Sequence, residues 1–150
     1  MKLLPLDGKH RTALQQARLH RQTFLEGAVR SGKTVDAAVG VLDLCRNAPP
    51  GDGLLIGYSS SSLRRNVLAP LEEMLGPERC KFSVTEGVIM GRHVNLMGAP
   101  NVRAENGLRG LTLAWAAVDE NTLIPEAVHQ QLNARLSIPG ARLLSTTNPD

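Results

Sequence analysis

The chain has 150 residues, 42% of them hydrophobic and 21% charged, with a formal net charge of +3, values that suit one globular domain with a sizeable core. Two Phe, one Tyr and one Trp (Phe24, Phe82, Tyr58, Trp115) are too few for an aromatic platform that stacks single-stranded nucleic acid. Cys45 and Cys80 have no metal-ligand spacing toward His10, His20, His93 or His129, so reduced thiols are expected rather than a zinc site or a disulfide framework.

The opening Met1-Lys2-Leu3-Leu4-Pro5 is too short for a secretory signal and no apolar run reaches membrane-spanning length, which leads to the expectation of a cytosolic protein. The first 50 residues hold eight Lys or Arg against four acids, and the remaining 100 hold nine against ten. That asymmetry is compatible with nucleic-acid contact and equally with a solvated basic face beside a phosphate site. Residues 8–20 are predicted helical, with Ala13, Leu14 and Ala17 on one side and Arg11, Gln15 and Arg18 on the other.

Gln22-Thr23-Phe24-Leu25-Glu26 then reads as a short strand. It runs into Gly27-Ala28-Val29-Arg30-Ser31-Gly32-Lys33-Thr34, which fills every fixed position of the phosphate-loop pattern G-x-x-x-x-G-K-[ST]. The glycines let backbone amides approach phosphate oxygens with no Cβ in the way. Lys33 would reach the β and γ phosphates of a nucleoside triphosphate, and Thr34 would supply a ligand to its Mg2+. Val35, Ala38, Val39 and Leu42 follow at helical spacing, so the loop stands between a strand and a helix whose amino end faces the anion. On its own, an ordinary glycine-rich turn is the alternative reading.

Asn47-Ala48-Pro49-Pro50-Gly51-Asp52-Gly53 is a loop and Leu54-Leu55-Ile56-Gly57-Tyr58 a buried strand. The serines at 59–62 offer caps for a helix over 63–75 that ends at Gly76-Pro77. Alternation over 81–98 predicts a small antiparallel insert. Residues 111–118 form the next buried strand, 125–136 a helix begun by proline, and 141–145 a last strand. Strands alternating with helices predict a parallel sheet flanked by helices.

The apolar strand that ends in Asp119-Glu120 is the second element an ATPase needs: Asp119 to hold magnesium and Glu120 to polarise the attacking water. At the end of the last strand, Ser145-Thr146-Thr147-Asn148-Pro149 places hydroxyls and an amide where they can sense a γ-phosphate. A turn begun by Asn-Pro is the alternative.

Residues 27–34, 114–120 and 146–149 together resemble the large terminase subunit of tailed bacteriophages, the motor ATPase that packages DNA into the procapsid, with the likeness strongest over Leu25-Glu26-Gly27-Ala28-Val29-Arg30-Ser31-Gly32-Lys33-Thr34. The resemblance implies an α/β P-loop NTPase of the RecA-like, additional-strand, glutamate-using class (ASCE) that hydrolyses ATP with Mg2+. It implies that Arg30 stabilises the transition state from within the subunit, and that Asp119 carries metal binding and Glu120 water activation. Thr146, Thr147 and Asn148 would form a coupling motif that links hydrolysis to movement. Arg109, ten residues before Asp119, is similar in position to an arginine that in some relatives acts across a subunit boundary, with Arg103 the competing candidate. Double-stranded DNA, the portal protein and the small terminase subunit are the implied partners, a homo-oligomeric ring the implied assembly of the full-length motor, and the bacterial host cytoplasm its location, with no membrane involved.

Two positions depart from the family pattern. Such motors usually carry a glutamine before the first helix to read adenine. This chain has Asp7-Gly8-Lys9-His10 there, where His10 can donate or accept one hydrogen bond. Asn121 follows the acid pair where a small residue is more usual. The likeness makes residues 1–150 the amino-terminal part of a terminase-like ATPase domain with the nuclease domain absent. A helicase-like P-loop DNA translocase and an inactive truncated nucleotide-binding remnant are the alternatives.

Overall fold

The computed structural model describes residues 22–26, 33–99 and 102–147. The helix expected over 8–20, the loop residues Gly27, Ala28, Val29, Arg30, Ser31 and Gly32, and also His10 and Asn148, lie outside the described residues. Among the described residues seven strands form one sheet: β1 (Gln22–Glu26), β2 (Asp52–Gly57), β3 (Cys80–Phe82), β4 (Glu86–Ile89), β5 (Arg92–Gly98), β6 (Leu113–Val118) and β7 (Arg142–Thr147). Their order is β1-β7-β6-β2-β5-β4-β3. The four pairings from β1 to β5 are parallel, and the two outer ones, β5 with β4 and β4 with β3, are antiparallel.

The apolar runs of β2 and β6 are explained by burial on both faces. Every residue of β6 is buried. On one face Leu55, Trp115, Ala117 and Leu144 pack with helix α1 (Lys33–Asn47) and with a second helical rod, α2, over 60–75. On the other, Leu54, Ile56, Ala116, Val118 and Leu143 pack with Val128 and Leu132 of α3 (Glu126–Arg135) and with Leu108 of the 3-10 turn Val102–Leu108. Helices on both faces of a mainly parallel sheet are the layered α/β architecture expected from the sequence. Among the described residues, no helix is long and apolar enough to cross a membrane.

Helix α1 lies close on β7. A Cβ at Gly40 would stand 2.5 Å from Leu144 Cδ2, so the glycine permits the approach that brings the start of α1 over the end of the sheet. The other end of α1 is tied down by Arg92 on β5. Its guanidinium donates to the carbonyls of Cys45 (2.9 Å), Ala48 (3.1 Å), Pro49 (2.5 Å) and Gly51 (2.9 Å), a cation where a helix leaves its last carbonyls without partners. Cys45 and Cys80 are buried and free. Burial pushes their thiols up to about 12 and about 11, which makes them inert core groups.

Several boundaries differ from the sequence expectation for physical reasons. The alternating segment over 81–98 supplies the antiparallel β3 and β4, but β5 also pairs in parallel with β2, Gly53↔Val94 through Gly57↔Gly98. The insert is therefore continuous with the main sheet. Tyr58 lies beyond β2, 42% exposed, and the helical rod begins at Ser60, because Ser59 and Ser62 form a reciprocal capping box. Strand β7 runs two residues past the expected 145, held on its far side by β1 through Leu25↔Thr146 and Glu26↔Thr147. Thr146 and Thr147 are thus strand residues.

Candidate functional site at the carboxyl edge of the parallel strands

β7 is the additional strand between the strand that leads to the glycine loop and the strand that ends in the acid pair. Its register, Val118↔Ser145 on one side and Leu25↔Thr146 on the other, carries Thr146 to the level of Asp119 and of the end of β1. The ladder continues one residue past β6, since Asp119 N–H donates to the Ile56 carbonyl at 2.8 Å. Asp119 is only 7% exposed. Its Oδ1 accepts from Thr146 Oγ1 at 3.0 Å and its Oδ2 from Asn66 Nδ2 at 2.8 Å. Thr146 Oγ1 in turn accepts the Glu120 N–H at 3.3 Å, so one hydroxyl ties both members of the acid pair.

A buried carboxylate is costly unless paired. Among the side chains that are described, the partners of Asp119 are a neutral amide and a neutral hydroxyl. Each carboxylate oxygen keeps a further lone pair. This is the donor set a hard divalent cation fits, and Mg2+ typically takes one or two carboxylates together with phosphate oxygens rather than an all-protein cage. No cluster of three or more metal-ligating side chains stands among the described residues. Beside the carboxylate, Ala37 and Val41 of α1 line a crevice of about 10 Å³ with Asp119, Thr146, Val67 and Leu144, room for about one water.

Glu120 has left-handed backbone angles, φ 53 and ψ 55. For a residue with a Cβ this costs of order 1–3 kcal/mol, and such strain concentrates at functional sites. Lys33 and Thr34 are described in backbone only, as the first two residues of α1, the helix whose next turn places Ala37 beside Asp119. Thr147 closes β7 opposite Glu26. Arg103 and Arg109 are exposed, within and just after the 3-10 turn, and no ion pair joins either to Asp119 or Glu120. Of the residues singled out in the sequence, the structure brings together Asp119, Glu120 and Thr146.

The sequence reading missed Asn66, 53 positions from the aspartate it touches. One signal was present: three residues after Leu63, it is a polar amide on the stripe that buries Leu63, Val67 and Leu71.

No family model matches the chain, and no curated protein was found to match it. Solved structures do. The large terminase of a thermophilic bacteriophage, solved in complex with ADP, is similar with a TM-score of 0.79 and 25% identity, over 96% of this chain and 39% of that one. The same phage protein in complex with ATP-gamma-S gives 0.78 and 28%, over 97% and 38%. The large terminase ATPase domain of Thermus phage P74-26 shares the fold, with a TM-score of 0.62 and 17% identity over 97% of this chain and 66% of that one. The chain spans about 40% of the length of the thermophilic-phage structures. The likeness to a large terminase read from the sequence is thus present in the fold as well.

Proposed function

We propose that this chain is the ATP-binding and ATP-hydrolysing core of a viral DNA-packaging motor, the amino-terminal region of a large terminase subunit. One observation carries the reading: in a large-terminase fold, a buried aspartate whose two oxygens accept from a neutral amide and a neutral hydroxyl sits where the acid-pair strand, the additional strand and the helix that begins at Lys33 converge. The thermophilic-phage terminase structures with ADP and with ATP-gamma-S support a nucleotide as the ligand.

In this reading the amides of 27–32 and the Lys33 ammonium cradle the phosphates, Thr34 and Asp119 hold Mg2+, and His10 offers the base one hydrogen bond. Bound there, the metal would neutralise charge on the β and γ oxygens. Glu120 holds and deprotonates the water aimed at the γ-phosphorus, and Arg30 offsets charge that develops in transfer. Thr146 bonds the carboxylate on one side and the Glu120 amide on the other. With Thr147 and Asn148 it forms a path by which loss of the γ-phosphate reaches β7. Arg109 is assigned to a neighbouring subunit's site in a ring of full-length motors that work in the host cytoplasm. Double-stranded DNA, portal protein and small terminase subunit are the partners of that assembly.

Two substitutions test the assignment. Lys33→Ala should abolish ATP binding, while Glu120→Gln should bind ATP like the parent and lose turnover by about 10²–10⁴-fold. A Glu120→Gln chain that hydrolyses ATP at the parental rate rejects the role given to Glu120.

A further inference from the structure

We infer that Asn66 is a positioning residue for the metal-binding carboxylate, and that the turn which carries it is held in π register by Pro70 so that the amide reaches Asp119. The inference rests on the functional reading above and concerns a residue outside its motifs.

The rod α2 is not uniform. An α-helical turn, Ser60–Leu63, passes into a π-helical segment, Arg64–Leu68, and back to α-helix, Ala69–Leu75. The Ala69 N–H donates to the carbonyl of Arg64, five residues back, and the Arg64 N–H is shared between Ser60 and Ser61. Single π turns inside α-helices are rare and often mark functional sites.

Here the sequence contains a cause. Pro70 has no N–H to give to the carbonyl four residues earlier, and in a regular α-helix its ring would collide with that carbonyl. The residue four back is Asn66. Widening the turn accommodates the proline, and it also turns the Asn66 side chain to the end of β6 while Leu63, Val67, Leu68 and Leu71 stay buried. The start of the rod is pressed against β5, where a Cβ at Gly98 would stand 2.5 Å from Ser60 N, so the segment cannot slide to make up the difference.

The contact has a defined polarity. A carboxylate only accepts, so the Asn66 amide presents Nδ2 to Oδ2. Thr146 holds the opposite oxygen from the neighbouring strand. Two donors on two oxygens, one from a helix and one from a strand, fix the rotation of the Asp119 carboxylate and leave a lone pair on each oxygen for a cation. Partners of this kind, which orient a metal ligand without touching the metal, typically contribute about 10–100-fold to metal affinity.

The test measures Mn2+ affinity by electron paramagnetic resonance in the presence of ATP-gamma-S, beside the affinity for ATP-gamma-S in EDTA, in the parent, Asn66→Leu and Pro70→Ala chains. Asn66→Leu should weaken Mn2+ by about 10-fold or more and leave metal-free nucleotide binding unchanged. A merely structural loss would move both. Pro70→Ala, free to return to α register, should melt higher than the parent and yet weaken Mn2+ in the same way. Parental Mn2+ affinity in Asn66→Leu overturns the assignment of Asn66, and parental affinity in Pro70→Ala overturns the role of the π turn. A parent chain that binds no ATP-gamma-S under either condition rejects the functional reading itself, and this inference with it.

Discussion

At the carboxyl edge of β6 and β7 the polar side chains Asp119, Ser145 and Thr146 are buried, whereas at the antiparallel edge of the same sheet the apolar Val84, Val88 and Met90 stand in solvent. The charged groups near that outer edge, Asp52, Glu86 and His93, pair across an exposed surface. The two regions invert the usual partition of polar and apolar groups for different reasons. Thr146 and Asn66 donate to both oxygens of the buried Asp119 and make its burial tolerable, and the result is a carboxylate with a fixed direction. The outer hairpin carries no such network, and its scattered apolar side chains are ordinary surface. Hydrogen-bond density around a buried charge therefore separates the two edges better than hydropathy does.

Isosteric removal of a hydroxyl at each edge should break the comparison most visibly. Thr146→Val leaves Asp119 Oδ1 and the Glu120 N–H without their shared partner and should cost about 1–3 kcal/mol in urea denaturation. Ser83→Ala, which loses an exposed bond to the Glu86 carbonyl, should cost below about 0.5 kcal/mol. Equal losses at the two positions would mean that the buried network contributes nothing special.

Backbone strain offers a finer contrast. Glu120 and Met90 are the two described non-glycine residues with positive φ, 53 and 50. Replacing either by glycine should stabilise the fold by about 1 kcal/mol. Only Glu120→Gly should abolish ATP turnover, while Met90→Gly turns over ATP at the parental rate. A loss of turnover in Met90→Gly would erase the distinction between strain at the site and strain at a hairpin.

The smallest effect belongs to His93. The hydrogen bond to Glu86 raises its pKa above the usual value, with the Asp52 and Glu86 charges adding to this and partial burial opposing it. Its stabilisation is then fully present below the unfolded value of about 6.5 and lost as pH rises through the higher folded value. The pair is exposed, so the gain should be below about 1 kcal/mol. The stability difference between the parent and His93→Gln should be larger at pH 6 than at pH 9. The opposite trend would show that the two carboxylates do not hold the imidazolium.

Much of this molecule was legible in the chain because its signals are local. The strand at 22–26, the apolar runs that became β2 and β6, the proline-led helix near 126 and the acid pair all follow from residue type and period over a few positions. The shift of β5 into parallel pairing with β2 and the extension of β7 to Thr147 were not legible, because each depends on a partner strand dozens of residues away. The site divides the same way: Asp119, Glu120 and Thr146 were visible as strand-end residues, and Asn66 looked like one more polar position on a helix.

The sequence by itself determined a phosphate-loop octapeptide between strand and helix, an acid pair after a buried strand, and an alternation that permits one kind of layered sheet. Only the tertiary structure decided that β7 would insert between β1 and β6, so that Thr146 meets Asp119, and that a proline-widened turn would carry Asn66 to the other oxygen of the same carboxylate. Short-range chemistry selects an element and its period. Which oxygen a side chain reaches depends on strand order, register and the closeness of packing between segments far apart in the chain, and those are properties of the whole folded body.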